Sequence, residues 1–181
     1  MTISPDDKDW TWVLERPCPE CRFDASSVAA DGVAALLRDN TRGWIDVLQG
    51  IHDPLSVRPR PDRWSAVEYA AHVRDVHRLY LERLDMMLTE DGPRYPNWDQ
   101  DETAVAQRYH ETEPATVGAE LQAASDALAD RFDSVRGDDW ERTGYRSDGA
   151  EFTIASFAIY FVHDPIHHLD DVNRGLHTLR T

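Results

Sequence analysis

The sequence predicts an all-α protein built around a bundle of four long helices. Four segments carry apolar residues at steps of three and four, the period of a helix that buries one face. Capping residues, prolines and glycines bound those segments, and almost no stretch has the apolar–polar alternation of a half-buried strand. A length of 181 residues suits a single domain, which we place at residues 24–181, after an irregular arm at residues 1–23.

The first helix should cover about residues 25–50 and begin near Asp24 or Ser26, because both residue types cap helix starts. Its apolar side runs as far as Ile51. Three prolines in residues 52–64 then predict a loop.

The second helix should cover residues 65–90, since an S-x-x-E capping box marks its start and Asp-Gly-Pro follows its end. At roughly 100° per residue, His72 lies roughly 50° from the centre of the apolar face, and His77 lies roughly 90° away. His72 therefore faces the bundle better than His77 does.

The third helix should cover residues 114–136, with a proline in its first turn, and the last should cover residues 153–175 and end at a glycine. A short helix is expected near residues 105–109. The segment SDGAEF, residues 147–152, suits a small hairpin.

The charge of the chain excludes some classes of partner. It has 34 acidic and 19 basic residues, a net charge of −15, so we expect neither a nucleic-acid partner nor docking to an anionic membrane. The longest apolar stretch, residues 152–162, is about half as long as a membrane span, and no secretion signal is recognisable. With only two cysteines, these features predict a cytoplasmic protein.

Three histidines are the most informative residues for chemistry. His163 and His167 are four apart, so on one helix they share a face, and His72 lies on the second helix. Three imidazoles from two helices would hold a metal ion and leave a coordination position open, as in catalytic sites. Pro165 either kinks the last helix and redirects these histidines or, with Asp164 as N-cap, begins a new helix.

Two motifs carry a family resemblance: W-S-x-x-E-x-x-x-H, which ends at His72, and H-x-x-x-H-H, which begins at His163. Together they resemble the DinB/YfiT-like superfamily, over most of the chain beyond the arm. The resemblance implies an antiparallel four-helix bundle with one divalent metal ion, commonly Zn²⁺ or Ni²⁺, bound by His72, His163 and His167. It also implies a homodimer.

The second motif also departs from the family pattern. Many members continue the double histidine with R-G-Q, where this chain has L-D-D at residues 169–171. His168 points about 100° away from His167 on a regular helix, so we do not count it as a ligand. In the related maleylpyruvate isomerase branch a carboxylate replaces one histidine. Asp164 neighbours that position without occupying it, and we therefore prefer the all-histidine set.

Other candidate groups have simpler interpretations. Cys18 and Cys21 form one C-x-x-C pair with no second cysteine pair to complete four ligands, so we interpret them as exposed or loosely packed and without function. Asp170 and Asp171 follow His167 by three and four residues. Either carboxylate could orient a ligand imidazole, and a surface position suits them equally.

We expect an enzyme in which the metal ion acts as a Lewis acid. Characterised branches of the resembled superfamily use a low-molecular-weight thiol, such as bacillithiol, mycothiol or glutathione, whose thiolate attacks an electrophile. The resemblance thus implies a metal-dependent thiol S-transferase acting on a small-molecule thiol and an electrophile. Two alternatives stay open: a metal-dependent hydrolase, and a non-catalytic metal-binding protein associated with stress.

Overall fold

The computed structural model describes residues 10–50 and 53–181. Its helices are α1 (Val33–Leu48), α2 (Ala66–Thr89), the short α3 (Gln100–Ala106), α4 (Pro114–Phe132) and α5 (Ile154–Arg180). Strands β1 (Arg94–Tyr95), β2 (Thr143–Arg146) and β3 (Glu151–Thr153) form a small sheet with β2 in the centre. The predicted all-α four-helix bundle is confirmed, with this sheet as a minor addition.

The candidate site lies between two apolar cores of the helix bundle. Helices α1 and α2 each pack against both α4 and α5, so α1 and α2 lie at opposite corners of the bundle. The buried apolar residues form two clusters, and α5 contributes to one as far as Val162 and to the other from Val172 onward. Ionisable residues of α5 lie between these two cores, and one of them, Asp164, has its Oδ2 3.5 Å from Nε2 of His72 on α2.

The start of α2 is fixed by local hydrogen bonds. The Ser65 hydroxyl accepts from the Glu68 backbone N–H at 3.3 Å, and the Glu68 carboxylate accepts from the Ser65 N–H at 2.9 Å. Arg58 donates to the same carboxylate at 2.9 Å. The predicted capping box is confirmed, and it sets the phase that turns His72 into the interior.

The first helix begins at Val33 rather than near residue 25, and here the prediction was wrong. Asp24 does cap a start, because its side chain accepts from the Ser26 N–H, but the element is a single 3₁₀ turn. Val28 and Ala29 then adopt extended backbone and interrupt the helix. The part of the arm before Trp10, and Ile51, lie outside the described residues.

The last helix is continuous through Pro165, so neither a new helix at that point nor an end at Gly175 is observed. Gly175 serves packing instead of capping, since a Cβ there would lie 3.1 Å from Pro59 Cγ. Helix α4 ends four residues before the predicted position, and the short helix α3 lies earlier than expected. The hairpin prediction is confirmed, because β2 and β3 pair antiparallel.

Among the described residues, no helix has both the length and the apolar character needed to cross a membrane.

Candidate functional site

Helix α5 carries two pairs of ligand-type side chains, each at four-residue spacing. One pair is His163 and His167, and the other is Asp164 and His168, offset by one residue. Each residue turns a helix by about 100°, so the two pairs point to different sides of α5. The structure gives each pair its own neighbours.

The first cluster consists of His72, Asp164 and His168, whose candidate ligand atoms lie within 4.8 Å of one another. Nε2 of His72 lies 3.5 Å from Oδ2 of Asp164, and Nε2 of His168 lies 3.6 Å from the same oxygen. Both ring nitrogens of His72 are buried and have no hydrogen-bond partner among the described residues. Two imidazoles and a carboxylate are a ligand set of catalytic zinc, so the cluster fits one divalent ion.

The charges within the first cluster favour a bound cation. Burial would raise the pKa of the Asp164 carboxyl, but the imidazoles of His168 and His72 outweigh it and hold that pKa well below its usual range. Burial would lower the pKa of His168, but Asp164 and Asp171 raise it to about 10. Without a metal ion, Asp164 is thus ionised and His168 carries the balancing proton, in a position that a divalent ion can take.

Asp171 contacts both histidines that end the motif. Its Oδ2 lies 3.5 Å from Nδ1 of His168 and 3.5 Å from Nε2 of His167. A proton on Nδ1 of His168, directed at Asp171, leaves the Nε2 lone pair facing the first cluster. Of the two carboxylates considered from the sequence, Asp171 is therefore the one beside the imidazoles, whereas Asp170 pairs with Arg174.

The second cluster consists of Cys18, Cys21, His163 and His167, whose candidate ligand atoms also lie within 4.8 Å of one another. Sγ of Cys18 lies 3.7 Å from Nδ1 of His167. Cys18 is fully buried, so the interpretation of an exposed or loosely packed residue was wrong for it. Burial raises the pKa of the Cys21 thiol to about 12, and burial, together with His167, lowers the pKa of His163 to about 4.

The structure divides the predicted triad between these clusters. His72 belongs to the first cluster and His163 and His167 belong to the second, so their ligand atoms do not converge on one point. As the ligands of a single ion, the three histidines stay a prediction that the geometry does not favour. Asp164 and His168 were set aside in the sequence, although they continue the buried stripe of α5 at steps of three and four.

A pocket of about 150 Å³ is lined by all three residues of the first cluster and by the two histidines of the second. Trp98 stacks on His72 with ring centroids 5.5 Å apart, and Trp10 from the arm forms another part of the wall. Arg83 and Arg146 also line the pocket. Nε of Arg83 is buried and has no hydrogen-bond partner among the described residues. The aromatic faces and the guanidinium of Arg83 suit a small anionic molecule. The local positive charge stands out because the chain as a whole has a net charge of −15.

Comparisons with known proteins agree with this architecture. The family model of the DinB superfamily matches residues 35–172. Among solved structures, the chain is similar to YfiT from Bacillus subtilis, described as a probable metal-dependent hydrolase with an unusual four-helix bundle topology. The TM-score is 0.69 at 18% identity, over 80% of this chain and 86% of YfiT, so the likeness concerns the fold. A comparison with curated proteins gives no match.

Proposed function

We propose that this chain, which belongs to the DinB superfamily, is a metal-dependent enzyme that holds one divalent ion, Zn²⁺ or Ni²⁺, at the first cluster. The observation that carries the proposal is the convergence of His72, Asp164 and His168 beside a pocket. Three protein ligands leave a position for a substrate atom. One ligand of this set is a carboxylate, as in the maleylpyruvate isomerase branch, although the sequence comparison places Asp164 beside that branch's carboxylate position. This composition supports a thiol-dependent reaction. The family resemblance further suggests a homodimer.

The favoured reaction is the transfer of a low-molecular-weight thiol to an electrophile. When bound, a divalent ion at this cluster would supply a Lewis acid that keeps a thiol deprotonated near neutral pH. The sulfur forms a bond to the electrophilic carbon, the bond from that carbon to its leaving group breaks, and the leaving group departs with the electron pair. The thiol proton goes to solvent.

The residues of the chain supply orientation and shielding. Asp171, whose Oδ2 lies 3.5 Å from Nδ1 of His168, would favour the tautomer whose Nε2 faces the cluster. The indole of Trp98 covers one face of His72 and limits the access of water. The guanidinium of Arg83, which lines the pocket, would bind a carboxylate of the thiol or the electrophile.

The test uses the metal-loaded full chain with a panel of bacterial thiols and a chlorinated aromatic electrophile. We expect formation of the thioether to require the metal ion and to fall at least about 100-fold in His168→Ala, since even loss of a ligand's partner costs 10–100-fold in affinity or activity. His177→Ala, an exposed histidine on the same helix, should keep the wild-type rate. Metal-independent thioether formation, or a fully active His168→Ala variant, would contradict the proposal.

A second candidate is metal-dependent hydrolysis, which the fold of YfiT supports through the description of that protein. The two reactions differ in the nucleophile. Turnover of esters or amides by the metal-loaded chain without any thiol would favour hydrolysis over thiol transfer. Tight metal binding without turnover of the thiols and electrophile, or of the esters and amides, would favour a non-catalytic metal-binding protein.

A further inference from the structure

The second cluster has no role in the proposed reaction, and it joins the N-terminal arm to α5. The two cysteines lie in a tight turn, in which the Cys18 N–H donates to the Phe23 carbonyl at 2.8 Å and the Arg22 N–H donates to the Cys18 carbonyl at 2.8 Å. Arg22 adopts left-handed backbone, with φ of 64°, which reverses the chain directly after Cys21. The turn therefore presents both sulfur atoms to the same neighbours on α5.

The two histidines of α5 are oriented as ligands would be. Nδ1 of His167 faces the sulfur of Cys18 at 3.7 Å, while Nε2 of the same ring lies 3.5 Å from Asp171. A histidine that binds a metal ion through one nitrogen commonly donates its other N–H to a carboxylate. Nε2 of His163 is buried and has no hydrogen-bond partner among the described residues, so it is available to a ligand.

We propose that Cys18, Cys21, His163 and His167 form a second, structural zinc site with four protein ligands. A tetrahedral S₂N₂ set is typical of structural zinc sites, and C-x₂-C with H-x₃-H falls within the usual ligand spacings. Zn–S and Zn–N bonds of usual length in a tetrahedron separate sulfur from nitrogen by about 3.6 Å. The observed 3.7 Å between Cys18 and His167 is close to that value.

The net charge of such a site suits its burial. Two thiolates balance the charge of Zn²⁺ and two neutral imidazoles add none, so the site as a whole is neutral. A neutral closed site avoids the large cost of an unpaired buried ion. The donor set also differs from that of the first cluster, which has one carboxylate and no sulfur.

The site would fasten a wall of the pocket. The ring of Trp10 packs against His163 and His167, with centroids 5.4 and 5.1 Å apart, and the same indole lines the pocket. Trp12 stacks on Trp10 at 5.6 Å. Zinc at the second cluster therefore holds the arm, and with it Trp10, against α5 and fixes the width of the pocket.

The main rival is a disulfide between Cys18 and Cys21, which would remove both thiolates from any metal ion. Both cysteines are free in the structure. X-ray absorption on the zinc-loaded double variant His72→Ala/His168→Ala, which lacks the first cluster, distinguishes a zinc site from a disulfide. We expect two sulfur and two nitrogen neighbours, with zinc–sulfur distances of about 2.3 Å. Bound zinc without a sulfur shell, or a variant that holds no zinc, would overturn the proposal.

Metal content provides a second test that does not depend on that variant. The wild-type chain should bind two ions, and Cys18→Ser/Cys21→Ser should bind one and keep the first cluster. Retention of two ions by the cysteine variant would refute the site. Cobalt-loaded wild-type protein should show the charge-transfer absorption of thiolate ligands, even if the cysteine variant fails to fold, and absence of that band would also refute it. If the wild-type chain binds an ion at the second cluster and none at the first, that result would contradict the proposed function but not this site.

Discussion

Replacement of Asp171 by alanine should weaken metal binding at both clusters. This carboxylate is 3.5 Å from one ring nitrogen of His168 and 3.5 Å from one of His167. Those two histidines belong to different clusters. Without the carboxylate, each imidazole can adopt the wrong tautomer or turn away from its ion.

The size of the effect follows from the distances. Loss of a partner that orients a ligand costs 10–100-fold in metal affinity, or about 1.4–2.7 kcal/mol. A separation of 3.5 Å is long for a charge-assisted hydrogen bond, so we expect roughly tenfold at each cluster. Asp171 also pairs with Arg174, but that arginine is half exposed and the pair should contribute no more than about 1 kcal/mol to stability.

The measurement is a competition titration of the apoprotein against a chromophoric chelator, fitted with two dissociation constants. Asp170→Ala is the matched control, because Asp170 pairs with the same Arg174 and contacts no imidazole of the clusters among the described residues. Both variants lose a pair with the arginine, and only Asp171→Ala loses the imidazole contacts. Wild-type affinity at both clusters in Asp171→Ala, or equal weakening in Asp170→Ala, would refute the reasoning.

Two further predictions concern stability. Ser65→Ala removes the hydroxyl that caps α2 and should lower the free energy of unfolding by about 1 kcal/mol, seen as a drop of about 2–4 °C in the midpoint of thermal unfolding by circular dichroism. An unchanged midpoint would mean that the cap is replaced by other contacts. Gly144→Ala builds a Cβ 2.7 Å from Met87 Cγ and 3.2 Å from Tyr95 Cε1, and should cost about 1–3 kcal/mol in denaturant unfolding. Gly32→Ala, with nothing within 4 Å of its new Cβ, is the control, and equal losses in the two variants would contradict the packing argument.

The fold was predictable where the signal is local. The start of α2 depends on Ser65 and Glu68, which are three residues apart, and the predicted cap is present. The start of α1 was not predictable in this way, because Asp24 caps equally well a 3₁₀ turn and an α-helix. Gly175 resembles a helix end in the sequence, but α5 continues past it, and the close approach of Pro59 explains why a residue without a Cβ stands there.

The candidate site shows a different limit. His163 and His167 lie opposite the buried stripe of α5, and a helix in a bundle ordinarily exposes that face. Here Trp10 and Cys18 of the arm cover it, so both faces are buried. No periodicity in the sequence reveals that an irregular segment will supply the second partner surface. The helical phase of α5 indicates Asp164 and His168, whereas the H-x-x-x-H spacing favours His163 and His167.

Helix α5 contributes two side chains to each cluster, so the geometry of one cluster constrains that of the other. Asp164 and His168 must meet His72 on α2, so the packing of two long helices sets their geometry. Any rotation of α5 that moved this pair would move His163 and His167 by the same angle, since a helix turns as a rigid body. The partners of the second pair therefore have to adapt, and they lie on a short turn rather than on a helix. A loop can adjust its backbone to a fixed pair of imidazoles, whereas a third packed helix could not do so without disturbing the core.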